Sequence, residues 1–289
     1  MSDRPDKAIL ESTGFVTVDG ARLFYRERGS GVPVVLIHGT GANADCWGDC
    51  FTDLSRDMRV IAYDRRSYSR SPDAPLNSVA VHTHDLAELL QQTEAVPAVL
   101  VGWSFGGPMA LRLAASNPEL VRALVLVEPA LPWLRCVEPG ILRTLGRARY
   151  DQARGRPVES VERFERWAGS HHDGGVSGFD RQPEAARQAQ LDNAQPALRE
   201  LGMMPWQAVS PKSVAAVRCP VTMLVGEQSP PWYHRVARSV RRALPTARVI
   251  EVRGAGHFVH VDSPGPFIDS IRTVAVGDTA ALGVAAGRV

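Results

Sequence analysis

Residues 99–107, Val-Leu-Val-Gly-Trp-Ser-Phe-Gly-Gly, constrain this chain more than any other stretch. A short Val-rich apolar run reads as a buried strand. It stops at a Gly-x-Ser-x-Gly pattern built on Gly102, Ser104 and Gly106, and a helical pattern follows at once over residues 108–115. Strand, tight turn and helix are the context in which such a pattern is a nucleophile elbow. Ser104 is expected at the tip of a strained turn with its hydroxyl exposed. Gly102 and Gly106 carry no side chains, so strand and helix can close around it. The Phe105 N–H, at the helix start, is left to meet a developing oxyanion. Read alone, Ser104 could equally be a helix cap, so the other segments decide.

Strand-like and helix-like segments alternate along most of the chain. Residues 15–18 and 21–25 flank Asp19-Gly20 and read as a hairpin. Residues 32–37 read as a buried strand ending in His38-Gly39-Thr40-Gly41, which places the Thr40 N–H as a second oxyanion donor. Helical spacing runs from Asp45 to about Arg56. A strand over 59–63 leads into Asp64-Arg65-Arg66-Ser67, and a helix is expected from about Asn77 to Thr93. Residues 121–127 form a further strand pattern, ending in Glu128-Pro129. Residues 131–210 change character: they are rich in Arg and Gln, with helical stretches near 158–168 and 183–201 around a polar loop, His171-His172-Asp173-Gly174-Gly175. The strand–helix pattern then resumes with strands over 220–226 and 247–252. The latter precedes Gly254-Ala255-Gly256-His257-Phe258, and a last helix starts near Pro266. This alternation predicts an α/β fold: a mostly parallel sheet with helices on both faces, a core over 13–130 and 211–276, an inserted helical cap over 131–210, and loose termini at 1–12 and 277–289. Ligands of such sheets bind beyond the carboxyl ends of the strands.

Composition narrows the partners. A formal charge of +2 over 289 residues argues against nucleic acid. No run has the length of a membrane-spanning helix, and the polar N-terminus has no signal-peptide core. Cys46, Cys50, Cys136 and Cys219 make neither a zinc tetrad nor, without an export signal, a disulfide framework. The expectation is a cytoplasmic protein with reduced thiols, no metal and no cofactor, since no nucleotide, flavin or metalloprotease motif is present. The sequence carries no signal of oligomeric state.

The landmarks His38-Gly39, Asp64-Arg65-Arg66, Gly102-Trp103-Ser104-Phe105-Gly106-Gly107 and Gly254-Ala255-Gly256-His257-Phe258, in that order, resemble the α/β-hydrolase family from about Phe15 to Thr273. The resemblance implies Ser104 as nucleophile and His257 as its base, a pairing that chemistry also requires, because a serine hydroxyl is a poor nucleophile until an imidazole takes its proton. Many relatives carry Asp where this chain has Ser229. Glu128, Glu227 and Asp262 could replace it. Some family members place the acid at the end of the strand after the nucleophile helix, which favours Glu128 over Glu227, with Asp262 out of reach. The serines Ser67 and Ser69 stand where relatives often carry glycines, which brings the backbone of that loop into question.

Ser104 is not the ester-forming aspartate of dehalogenase-type relatives. The expected reaction is therefore acyl transfer to water: hydrolysis of a carboxylic ester, lactone or thioester of a partly apolar small molecule. His38, Trp103, Trp133 and Phe258 are expected to line the pocket, with Phe105, Trp167, Met203, Met204 and Trp206 as further apolar candidates. A non-hydrolytic enzyme using Ser104 or His257 for proton transfer, and a small-molecule receptor on the same scaffold, are the alternatives.

Overall fold

A computed structural model describes residues 10–72, 78–133, 136, 139–203 and 209–277. Eight strands form one sheet: β1 (Glu11–Val18), β2 (Ala21–Arg28), β3 (Pro33–Ile37), β4 (Arg59–Tyr63), β5 (Ala98–Trp103), β6 (Val121–Val127), β7 (Val221–Gly226) and β8 (Arg248–Val252), in the order β1-β2-β4-β3-β5-β6-β7-β8. β2 runs antiparallel to β1 and β4, and the remaining pairs are parallel. Asp19 and Gly20 both take positive φ, as a two-residue hairpin turn requires. β1 begins at Glu11, inside the stretch expected to be loose.

β5 and β7 are buried along their whole length, which fits strands covered on both faces. On one face α2 (Val79–Gln92), α3 (Gly106–Ser116) and α10 (Pro231–Ala243) set Leu86, Met109, Leu113 and Val236 against Leu100 and Leu124. On the other, α1 (Gly48–Leu54) and α12 (Pro264–Val276) set Phe51, Phe267 and Ile271 against Val101 and Val125. The chain leaves β3 toward β4 and then returns to β5 on the other side, so strand order switches between β3 and β5. Crevices outside such a switch point hold ligands, and the loops there carry Thr40 and Ser104.

Between β6 and β7 the described elements include α4 (Pro139–Ala153), α5 (Pro157–Ala168), α6 (Gly178–Arg181), α7 (Glu184–Asp192), α8 (Ala194–Met203) and α9 (Pro211–Ala215), all helices. The single helix expected over 183–201 is two helices. Asn193 lies between them, and its amide is committed elsewhere: it donates to Gly41 O (2.7 Å), while its carbonyl oxygen accepts the Ser69 N–H (2.8 Å). α1 is shorter than the helical spacing from Asp45, and a short helix, α11 (Val259–Asp262), precedes α12. Among the described residues no helix is long and apolar enough to cross a membrane. Met204 and Trp206 lie outside the described residues, and Met203 is described only in its backbone.

Candidate active site

Ser104 sits at φ 51° at the junction of β5 and α3, a left-handed conformation that a non-glycine residue keeps only when its surroundings hold it there. The hold is visible. The Ser104 N–H donates to Val127 O (2.9 Å), and Ser104 O accepts from the Gly107 and Ala130 N–H groups (3.1 and 2.9 Å). The flanking glycines are required by close approach: a Cβ on Gly106 would lie 2.3 Å from Ile37 O, and one on Gly102 2.8 Å from the Gly107 Cα. Ser104 is 8% exposed, less than a bare elbow would be.

Glu128 follows β6 with φ 45°, a second left-handed residue, so its carboxylate turns along the strand ends. Oε1 accepts the Gly226 N–H (2.8 Å), and Oε2 lies 2.7 Å from His257 Nδ1. A carboxylate only accepts, so Nδ1–H is the donor in this pair. Both side chains are buried. The His257 ring stacks on Tyr233 with centroids 4.3 Å apart, and its carbonyl accepts the Trp103 indole N–H (3.0 Å) one residue before Ser104. Glu227 faces outward and accepts the Gly254 N–H. Asp262 accepts the Gly256 N–H (2.8 Å), which braces the loop carrying His257 from below. Ser229 is buried and its hydroxyl has no partner among the described residues.

The loop after β3 packs on the elbow: a Cβ on Gly39 would lie 3.0 Å from the Ser104 Cβ. His38 fixes it. Its Nε2 accepts the Arg65 N–H (3.0 Å) and its Nδ1 contacts Gly39 O (2.8 Å). Burial, and then the Arg65 charge, hold the His38 imidazole well below its usual pKa, so it is neutral. Arg65 donates to Gly39 O (3.0 Å) and forms a fully buried ion pair with Glu200 of α8 (2.6 Å). Glu200 Oε1 also accepts the Thr40 hydroxyl (2.6 Å). The inserted helices therefore grip the loop carrying the Thr40 N–H. A second grip lies at the histidine loop, where Arg181 pairs with Asp262 (2.7 Å) and His171 contacts both.

Trp103, Trp133 and Phe258, expected to line a pocket, are 1, 7 and 0% exposed. Trp103 and Phe258 pack in the core with Trp47 and His260, and Trp133 donates to Val209 O (2.6 Å). His38, expected beside them, is fully buried and bonded to the Arg65 N–H. Ser67 and Ser69 take positive φ (72° and 44°), contrary to the expectation that serine would resist it. Asn193 secures the Ser69 backbone, and Asp64 accepts the Arg70 N–H beyond it. Glu200, Glu165 and Tyr233 were not singled out by the sequence. Glu200 pairs with a residue 135 positions away, a separation that leaves no local signature.

A family model described as "Alpha/beta hydrolase family" matches residues 34–270. The uncharacterized hydrolase YraK of Bacillus subtilis is 36% identical over 123 residues, 42% of this chain and 45% of that protein. The 2-hydroxymuconate semialdehyde hydrolase of Pseudomonas sp. (strain CF600) is 38% identical over 117 residues, 38% of this chain and 41% of that protein. The chain thus spans under half the length of these two relatives. The crystal structure of the esterase RhEst1 from Rhodococcus sp. ECU1013 superposes with a TM-score of 0.73 at 25% identity, covering 93% of this chain and 98% of that one.

Proposed function

Since this chain belongs to the α/β-hydrolase family, we propose that it hydrolyses a carboxylic ester, lactone or thioester through Ser104, His257 and Glu128. The observation that carries this reading is the carboxylate–imidazole pair, Glu128 Oε2 to His257 Nδ1 at 2.7 Å, beside a serine held at positive φ. In the proposed reaction the Ser104 oxygen attacks the substrate carbonyl carbon while His257 Nε2 takes the hydroxyl proton. Glu128 stabilises the imidazolium and fixes the tautomer. The Phe105 and Thr40 N–H groups receive the negative oxygen of the tetrahedral intermediate. The intermediate collapses to an acyl-enzyme, and the leaving alcohol or thiol departs with the proton from His257. Water, deprotonated by the same imidazole, then releases the acid and restores the serine. The helices between β6 and β7 act as a cap over this centre, and no cofactor is invoked.

Incubation with p-nitrophenyl acetate and butyrate, and with a fluorophosphonate probe, tests the scheme. Turnover and a label on Ser104 are expected, and Ser104→Ala removes both. Labelling with no turnover of any ester would favour a non-hydrolytic enzyme. Neither, with tight binding of a small molecule, would favour a receptor. Glu128→Gln is expected to lower kcat by roughly 10⁴-fold, the scale of losing the tautomer-fixing acid in a serine triad. Glu227→Gln should change it by less than about threefold, since such exposed changes are close to neutral. The reverse ranking would overturn the assignment of the acid.

A further inference from the structure

One buried acid takes no part in the scheme above. Glu165 lies on the inward face of α5, between Phe164 and Ala168, and is 3% exposed. Its Oε1 has no hydrogen-bond partner among the described residues. That is costly for a carboxyl, because leaving a buried polar group unpaired forfeits its hydration with nothing in return. The oxygen lies 3.3 Å from where a Cβ of Gly41 would be, against the loop that carries Thr40. Burial, and then the charge of Glu200, push its pKa up to about 8. Tyr233, the residue stacked on His257, feels the charges of both Glu128 and Glu165. Glu165 therefore lies against the loop that carries Thr40, within electrostatic reach of the ring stacked on His257.

Its surroundings favour one sign of charge. From α5 to the histidine runs a line of ring contacts: Phe164–Trp167 (6.0 Å), Trp167–Trp232 (6.3 Å), Trp232–Tyr233 (4.8 Å) and Tyr233–His257 (4.3 Å). Aromatic rings and a carboxyl carried on one helix suit an ammonium group, which gains from ring quadrupole and anion where both reach it. A carboxylate would have to displace or share the Glu165 proton beside the Glu200 charge, and the guanidinium of Arg65 is already committed to Glu200 and Gly39 O. We propose that Glu165 is a specificity residue that binds a protonated amine on the substrate, so that the preferred substrates are amine-bearing esters or thioesters. On binding, Glu165 gives its proton to solvent and pairs with the ammonium as a carboxylate. This inference rests on Ser104 acting as the nucleophile of an ester-cleaving site.

The test compares p-nitrophenyl ε-aminohexanoate with the heptanoate, the ε-hydroxyhexanoate and the adipate hemiester, four acyl chains of matched length. In the wild-type protein kcat/KM for the amine ester should exceed that of the heptanoate by tenfold or more, with the hemiester lowest. Hexylammonium should inhibit butyrate turnover competitively and hexanoate should not. Glu165→Gln should bring the amine-to-alkyl ratio to within about twofold of unity, with the ratio itself controlling for any general loss. Heptanoate or hydroxyhexanoate preferred by the wild type, or an amine preference that survives Glu165→Gln, would overturn the inference. The wild-type ratios and the inhibition pair decide the matter even where the variant folds poorly. No turnover of any ester would instead sink the hydrolytic scheme.

Discussion

Glu165 and His260 show how single buried side chains set opposite pH slopes. The Glu165 carboxyl is raised from its ordinary 4.5 to about 8, so between those values the folded protein holds a proton that the unfolded chain has released. Its contribution to stability is therefore lost as pH rises through that window. Glu165→Gln removes the titration. The melting temperature of the variant minus that of wild type should grow from pH 5 to pH 8, and a difference flat across that range would contradict the raised pKa. His260 is the reverse case. Packed among Trp47, Trp103 and Phe267, it is lowered to about 3 by burial and then by His257. Legibility differed in the same way at this scale. Ser104 and His257 are flanked by glycines that their turns need, so the sequence marks them. Glu165 sits on a helix beside Glu159 and Glu162, and nothing local separates the buried acid from its solvated neighbours.

Among the elements, α8 and the loop after β3 are joined by the Arg65–Glu200 pair, with Thr40 as a third member. Removing one partner of a buried pair strands the other charge, which costs about 3–5 kcal/mol. Glu200→Gln should destabilise the protein on that scale in urea unfolding. Thr40→Val, which deletes one hydrogen bond, should cost about 1–3 kcal/mol, chiefly by leaving its carboxylate partner one donor short. A loss below about 1 kcal/mol for Glu200→Gln would show that solvent or rearrangement replaces the pair. The element order and the parallel core were readable from strand periodicity, because β3, β5, β6 and β7 are short apolar runs between turn residues. The break at Asn193 was not, since Asn interrupts a helix there in order to reach Gly41 and Ser69, contacts made 152 and 124 positions away.

For the molecule as a whole, His38, His82 and His260 are buried with pKa values lowered chiefly by burial. Below about pH 6.5 the unfolded chain binds three protons that the folded protein refuses, so stability falls as pH falls. Glu165 and Asp85, both raised, oppose this with at most two. The urea midpoint should therefore be lower at pH 5 than at pH 7, and an equal or higher midpoint would show that the acids win. The sheet also determines how the reacting groups are delivered. Ser104 and Glu128 directly follow adjoining strands, 24 positions apart, and the amide of Ser104 is bonded to the carbonyl of Val127, which precedes Glu128. In the proposed scheme nucleophile and acid thus travel as one prefabricated cassette, to which only the imidazole must be fitted. In that scheme the bend after β7 supplies no reacting group and serves as a strut: its Gln228 N–H holds Ala255 O, and Glu227 holds the Gly254 N–H, so sequence drift there is limited by the imidazole loop it props and by Tyr233 just beyond Ser229.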